Sequence, residues 1–252
     1  MNRKIALITG GSRGLGRDAA LKLAARGVDV ILTYRSQAAE AQAVVEQVQA
    51  LGGRAQALAL DAGDIGSFPA FVARVGETLH THWQRGQFNY LLNNAGMGEH
   101  ASFADTTEAQ FDRLLNVHFK GVFFLTQQLL PLIADGGRIL NVSSGLARFS
   151  LPGYAAYASM KGAIEVLTRY LALELGPRRI AVNVIAPGAI ETDFGGGAVR
   201  DNAQLNAMIA GQTALGRVGQ PDDIGKAMAL LLSEDAGWIN GQRVEVAGGV
   251  QL

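Results

Sequence analysis

Short apolar runs alternate with helically patterned segments from end to end of this chain, and that alternation limits the fold more than any other feature of the sequence. The apolar runs are KIALIT, VDVILTY, RAQALAL, FNYLLN, RILNVS, IAVNVIA and RVEVA. Between them lie segments such as GRDAALKLAARG, AAEAQAVVEQVQALGG and DDIGKAMALLLSE, whose apolar residues recur at helical spacing. The strand runs are almost continuously apolar, as expected where helices cover both faces of a sheet. The reading is α/β: a doubly wound parallel sheet of about seven strands with helices on both faces.

No Pro- or Ser-rich linker and no fixed-period repeat divides the chain, so residues 1–252 read as a single domain. A hydrophobic content of 48% supplies one large core. The one long stretch without a clear pattern covers residues 187–223 and holds three successive glycines at 195–197. Irregular stretches of that length are more often functional than incidental, which predicts a substrate loop or lid at about residues 188–220.

Composition removes several classes of function. Lys+Arg and Asp+Glu both number 22, so there is no basic excess for nucleic acid or an acidic membrane surface. There is no cysteine, hence no disulfide and no thiolate chemistry. The opening MNRKIALITGG lacks the long apolar region of a secretory leader. The apolar segment GVFFLTQQLLPLI is interrupted by Gln127, Gln128 and Pro131, so it does not read as a membrane span. The expectation is a soluble cytoplasmic protein.

The first strand run passes into the first helical segment through ITGGSRGLGRDAA, where Gly10, Gly14 and Gly16 have the spacing GxxxGxG. Glycines allow a tight turn and a close backbone approach to a pyrophosphate, and the free N–H groups of a helix start then meet the phosphates. Placed between a strand and a helix, this loop predicts a dinucleotide site of Rossmann type.

A second motif is YAAYASMKGA, residues 154–163. Tyr157 and Lys161 are four apart and share one helix face, while Tyr154 and Lys161 are seven apart, so spacing alone leaves both tyrosines open. Two serines, Ser143 and Ser144, close the strand run RILNVS. Ligands of open parallel sheets bind outside the carboxyl ends of the strands.

The succession GxxxGxG at 10–16, NNAG at 93–96, NVSS at 141–144, YxxxK at 157–161 and PG at 187–188 resembles the short-chain dehydrogenase/reductase family, in order and interval, over essentially the whole chain. The general look is nearest to its standard-length, 3-oxoacyl-(acyl-carrier-protein) reductase-like members. The resemblance implies a single Rossmann-type domain with strand order 3-2-1-4-5-6-7. It also implies hydride transfer between a nicotinamide and a ketone or secondary alcohol.

Residue by residue, the resemblance implies the following. The interval of 13 residues to Ser144 selects Tyr157 as acid/base over Tyr154, which then lines the substrate pocket beside Ser144 and Tyr157. Lys161 lowers the phenol's pKa and holds the nicotinamide ribose; Asn116, in FDRLLNVHFKG, holds a water in a proton relay. Ser144 polarises the carbonyl. In the glycine loop, Gly10, Ser12, Arg13, Gly14, Leu15 and Gly16 hold the cofactor. Asp61 and Ala62 hold the adenine, and Asn93, Ala95 and Gly96 line the ribose, with Asn93 also pinning strands. Pro187 and Gly188 shape the nicotinamide face, and Ile190 and Thr192 bond the carboxamide. Ser143 and Asn183 read as structural.

The second strand ends in Tyr34, Arg35 and Ser36, where NAD-preferring relatives hold an aspartate. Tyr34 cannot bond both ribose hydroxyls, whereas Arg35 and Arg13 suit a 2′-phosphate. NADP(H) is therefore expected over NAD(H). The expected partners are a small-molecule carbonyl or alcohol and further copies of the chain. Two segments, FDRLLNVHFKGVFFLTQQLL and YASMKGAIEVLTRYLALEL, carry more apolar residues than one buried stripe needs, which with the resemblance implies a homotetramer or dimer.

Two departures stand out: HTHWQRGQFNYLLNN, where relatives have a shorter approach with Asp, and the bulk of Met160 before Lys161. His80 and His82 form an HxH pair in a polar loop with no third ligand nearby in sequence, so no metal site is read. His100 follows NNAG at a place that reads as surface or pocket lip. Two alternatives to a general ketoreductase stay open: a reductase specific for 3-oxoacyl thioesters, and a non-catalytic NADP(H)-binding regulator. Relatives of the second kind lose the Tyr or Lys that this chain keeps.

Overall fold

A computed structural model describes residues 3–252. Along the chain run β1 (Ile5–Ile8), α1 (Gly14–Ala25), β2 (Asp29–Tyr34), α2 (Ala38–Ala50), β3 (Ala55–Ala59), α3 (Phe68–Trp83) and β4 (Phe88–Asn93). Then come α4 (Glu108–Leu115), α5 (Gly121–Leu129), β5 (Ile133–Val142), α6 (Ala155–Glu174) and β6 (Ala181–Pro187). The chain closes with α7 (Ala198–Asp201), α8 (Ala203–Gly211), α9 (Pro221–Leu231) and β7 (Arg243–Val246). The strands form one seven-stranded sheet in the order β3-β2-β1-β4-β5-β6-β7. Every pairing is parallel. Strand order therefore reverses between β1 and β4, where such sheets open a ligand crevice.

Each face of the sheet has its own core. On one, Ala19, Ala20 and Leu23 of α1, Val44 and Val48 of α2, and Ile224 and Met228 of α9 pack on Ile8, Leu32 and Leu92. On the other, α3 lays down Phe68, Phe71, Val75, Leu79 and Trp83, a stripe at helical spacing, against Ile5, Leu7 and Leu91. Buried polar groups tie the strands together. Asn93 Nδ2 donates to Asn141 Oδ1 (2.8 Å) and to Thr126 Oγ1 (3.0 Å), and Asn141 Nδ2 donates to Thr168 Oγ1 (2.9 Å).

Two sequence expectations are corrected. Residues 187–223 are not irregular throughout: they hold α7, α8 and the start of α9, and a bridge pairs Ile190 with Gly219. His80 and His82 lie not in a loop but in the last turn of α3. The segment from Phe111 to Leu129 is helical throughout, with a single π-turn at Asn116–Lys120 inserted between α4 and α5.

Gly121 closes the π-turn, its N–H reaching back to Asn116 O. A Cβ there would lie 2.0 Å from Ala62 O and 2.6 Å from Asn116 O, so only glycine fits. Helical periodicity cannot register such a turn, because the pattern on either side remains helical.

Candidate active site

The loop from β1 to α1 is shaped by its glycines. Gly10 and Gly14 have φ of +64° and +53°, backbone that side chains rarely adopt. A Cβ on Gly16 would lie 2.3 Å from Gly10 O and 2.6 Å from Asn94 Nδ2. Asn94 is a residue the sequence reading passed over. Its Nδ2 donates to Thr9 O and Gly10 O, both at 3.0 Å, and so pins the loop to the end of β4. No side chain caps the start of α1. Its first N–H groups therefore remain available to an acceptor from outside the helix.

Around this loop stand the neighbours named from the sequence. Tyr34 packs against the α1 core, while Arg35, Ser36 and Arg13 are exposed. Neither arginine belongs to an ion pair among the described residues. Asp61 Oδ1 accepts from Gly63 N at 2.9 Å. Ala95 lies against Gly10, whose Cβ would meet Ala95 Cα at 3.0 Å. Thr192 is buried beside Gly14 and accepts from Phe194 N at 3.2 Å.

Ser144, Tyr157 and Lys161 converge at the carboxyl end of β5. Ser144 follows the strand with extended backbone, and its Oγ accepts from Leu146 N at 3.2 Å. That bond uses a lone pair and leaves the hydroxyl hydrogen free to donate. Tyr157 and Lys161 lie in the first two turns of α6, both buried. Lys161 Nζ donates to Val142 O at 2.7 Å and stands 5.5 Å from the centre of the Tyr157 ring. Burial pushes the Tyr157 phenol up, and the nearby Ser144 hydroxyl pulls it partly back. Burial also pulls Lys161 down to about 7. Ser143 is turned away, bonding Lys161 O and Glu165 Oε1.

The walls are aromatic and apolar. Phe194, from the segment after β6, lies 6.0 Å from the Tyr157 ring and would touch a Cβ on Gly98 at 3.1 Å. Tyr154 precedes α6 and packs edge-on to His100 at 5.1 Å. Met97, Leu146 and Tyr154 border the cluster around Tyr157 and Met160.

From the α4–α5 side, the residue brought against Tyr157 is His118, whose ring stands 5.1 Å away edge-to-face. Asn116 opens the same π-turn, and a Cβ on Gly63 would lie 3.9 Å from its Cβ. His118 is 1% exposed. The sequence carried one signal for it, a histidine set inside the apolar run VHF, but only the π-turn decides which way it faces.

The sheet order, the glycine loop and the Ser–Tyr–Lys cluster define the class. The chain belongs to the short-chain dehydrogenase/reductase family of oxidoreductases; a family model described as enoyl-(acyl carrier protein) reductase matches residues 10–251. Among curated relatives, versicolorin reductase 1 of Dothistroma septosporum is 34% identical, over 99% of this chain and 96% of its own. Two solved structures share the fold closely. LugOII, a promiscuous reductase catalysing keto-reduction at C1 during lugdunomycin biosynthesis, gives a TM-score of 0.94 at 35% identity, covering 99% of this chain and 98% of its own. The angucycline C-6 ketoreductase LanV, solved with bound NADP, gives 0.93 at 35% identity, covering 98% and 95%.

Proposed function

We propose that this chain is an NADP(H)-dependent ketoreductase, moving a hydride between nicotinamide and a ketone or secondary alcohol with Tyr157 as acid/base. The observation that carries this reading is the meeting of Ser144, Tyr157 and Lys161 at the strand ends. The β1–α1 loop lies at the same edge of the sheet.

The loop suits a dinucleotide. Its backbone turns at Gly10 and Gly14, and the uncapped N-terminus of α1 offers N–H groups to a pyrophosphate. Gly10, Ser12, Arg13, Gly14, Leu15 and Gly16 would hold the phosphates. Asp61 and Ala62 would hold the adenine, Ala95 and Gly96 the ribose, and Pro187, Gly188, Ile190 and Thr192 the nicotinamide. The preference for NADP rests on the absence of a carboxylate at Tyr34 and on Arg13 and Arg35, exposed and free of ion pairs among the described residues. NADP in the LanV structure supports it.

When bound, the nicotinamide supplies the hydride for reduction and takes it in oxidation. Ser144 donates its hydroxyl hydrogen to the carbonyl oxygen, and Tyr157 gives its proton to the alkoxide that develops there. Burial keeps the phenol protonated at neutral pH, the state that reduction needs. Lys161, fixed by Val142 O, sets the charge beside Tyr157 and would hold the nicotinamide ribose. The walls of Tyr154, Met97, Leu146 and Phe194 suit a ketone on a flat apolar framework.

The test is NADPH oxidation across a panel of aromatic ketones, 3-oxoacyl thioesters, enoyl thioesters and sugars. Turnover is expected with the aromatic ketones. A preference for 3-oxoacyl thioesters would redirect the substrate assignment, and binding of NADPH without turnover of any member would favour a cofactor-sensing regulator. The exposed apolar residues Phe111, Phe123, Val166, Tyr170 and Leu173 support a homotetramer or dimer. A monomeric mass by light scattering at micromolar concentration would refute it.

A further inference from the structure

His118 is a buried group that no motif accounts for. Its Nε2 lies 2.7 Å from Met97 O and 3.2 Å from Met97 N. One ring nitrogen serves one of these, and the shorter contact makes Nε2–H the donor to the carbonyl. Nδ1 then carries the lone pair. It is buried and has no partner among the described residues. A buried acceptor left unsatisfied costs stability, so its persistence calls for a role.

The surroundings indicate what that role is. His118 sits in the π-turn, and a Cβ on Gly96 would lie 2.9 Å from its Cε1 and 3.5 Å from Nδ1. Its ring packs edge-to-face on Tyr157. Burial, and after it the charge of Lys161, holds its pKa down to about 3. The titratable groups facing this cluster are Tyr157 and Lys161 of α6, with Tyr154 at the start of that helix. Ser144 comes from the end of β5, and from the β4 side His118 meets Gly96 and the backbone of Met97, neither of them titratable.

We propose that His118 is a positioning residue for the reduction: a permanently neutral imidazole, locked by Met97 O, that orients the Tyr157 ring. Its Nδ1 serves as the acceptor that stabilises the protonated Lys161 side of the proton path. This deepens the ketoreductase reading and rests on it. The imidazole exchanges no proton. It accepts a hydrogen bond through one solvent molecule and so favours the ammonium, which in turn favours the phenolate. Loss of the acceptor therefore raises the pH at which Tyr157 acts as base.

The experiment has two arms. In the first, 15N-histidine NMR of the wild-type chain without cofactor follows four histidines, His80, His82, His100 and His118. One of them, assigned by its loss in H118N, should keep the Nε2–H tautomer without titrating between about pH 5 and 8, where an ordinary histidine titrates. Titration of His118 in that window would overturn the proposal. In the second arm, the pH dependence of kcat/KM for alcohol oxidation is compared in H118F, which keeps a ring and loses both nitrogens, and in H118N, which restores an acceptor.

H118F should move the rising limb to higher pH by about one unit and lower kcat about tenfold or more, the order expected for loss of a hydrogen bond to a charged group. H118N should restore most of both. An unmoved pH profile in H118F, or equal damage in both variants, would reduce His118 to packing. Should H118F fail to fold, the tautomer arm and the H118N profile decide the matter. The NMR arm needs no turnover, so failure of the ketoreductase reading and failure of this one are read separately.

Discussion

Two glycines make the same kind of close approach in two different parts of the molecule. At Gly16, in the β1–α1 loop, an added Cβ would strike Gly10 O at 2.3 Å; at Gly121, closing the π-turn, it would strike Ala62 O at 2.0 Å. The first belongs to a spaced motif between a strand and a helix. The second stands alone in an apolar helical pattern. The first lies in the loop proposed to receive phosphates, and the second closes the π-turn that brings His118 against Tyr157. If binding and chemistry divide between these two regions as proposed, substitutions should separate them.

The sharpest separation is expected at Tyr157. Tyr157→Phe keeps the ring and removes the proton donor, so turnover should fall by about 10²-fold or more while NADPH affinity barely changes. Single-turnover kinetics together with fluorescence titration of NADPH would check this. Tyr154→Phe is the control and should act mainly on KM. Near-normal turnover of Tyr157→Phe would mean that the wrong tyrosine had been chosen.

On the binding flank, Arg35→Ala should weaken NADPH by about tenfold to a hundredfold, the value of a charge-assisted hydrogen bond, and leave NADH nearly unchanged. Tyr34→Asp should go further, because a carboxylate repels the 2′-phosphate and can accept both ribose hydroxyls. Equal weakening of both cofactors by Arg35→Ala would make the arginine an ordinary surface charge.

The chemistry flank should announce itself in acid. His118 takes up a proton near pH 6.5 in the unfolded chain and near 3 in the folded one, because burial and Lys161 oppose its charge. Between those values the unfolded state binds more protons, so stability falls as pH falls. From pH 6.5 to about pH 4.5 the loss from this group is roughly 2–3 kcal/mol. Urea midpoints of H118N should be flatter than wild type over that range. Parallel curves would show that the histidine is not the group being titrated.

The glycine pair tests the comparison itself. Gly16→Ala and Gly121→Ala should each cost about 1–3 kcal/mol of stability, the usual penalty of overpacking. Thermal melts measure that shared part. The two should then diverge: Gly16→Ala loses NADPH affinity, while Gly121→Ala keeps more affinity and loses turnover as His118 shifts. Identical functional damage in the two variants would dissolve the division between flanks.

Much of this molecule was legible in the amino-acid order. Seven apolar runs became seven strands, and the run FNYLLN became β4 at the same boundaries. The spacing of Gly10, Gly14 and Gly16, and of Tyr157 and Lys161, survives folding because each set lies within one turn or one helix, where sequence distance fixes spatial distance; Ser144 joins that pair from the end of β5, across an intervening loop whose interval the family resemblance supplied. The stretch after Gly188 was not legible, since α7 and α8 are short and owe their form to contacts such as the Ile190–Gly219 bridge.

The π-turn at Asn116–Lys120 was not legible either. A π-turn leaves the pattern of apolar residues intact and changes only which side chain faces α6. It forms here because Gly121 lets Ala62 O come close, a contact between residues 59 apart in sequence. The sequence by itself therefore determined the sheet, its glycine loop and the shared helix face of Tyr157 and Lys161. Only the tertiary structure decided that His118 stands beside Tyr157, because that placement depends on a long-range approach that no local periodicity records.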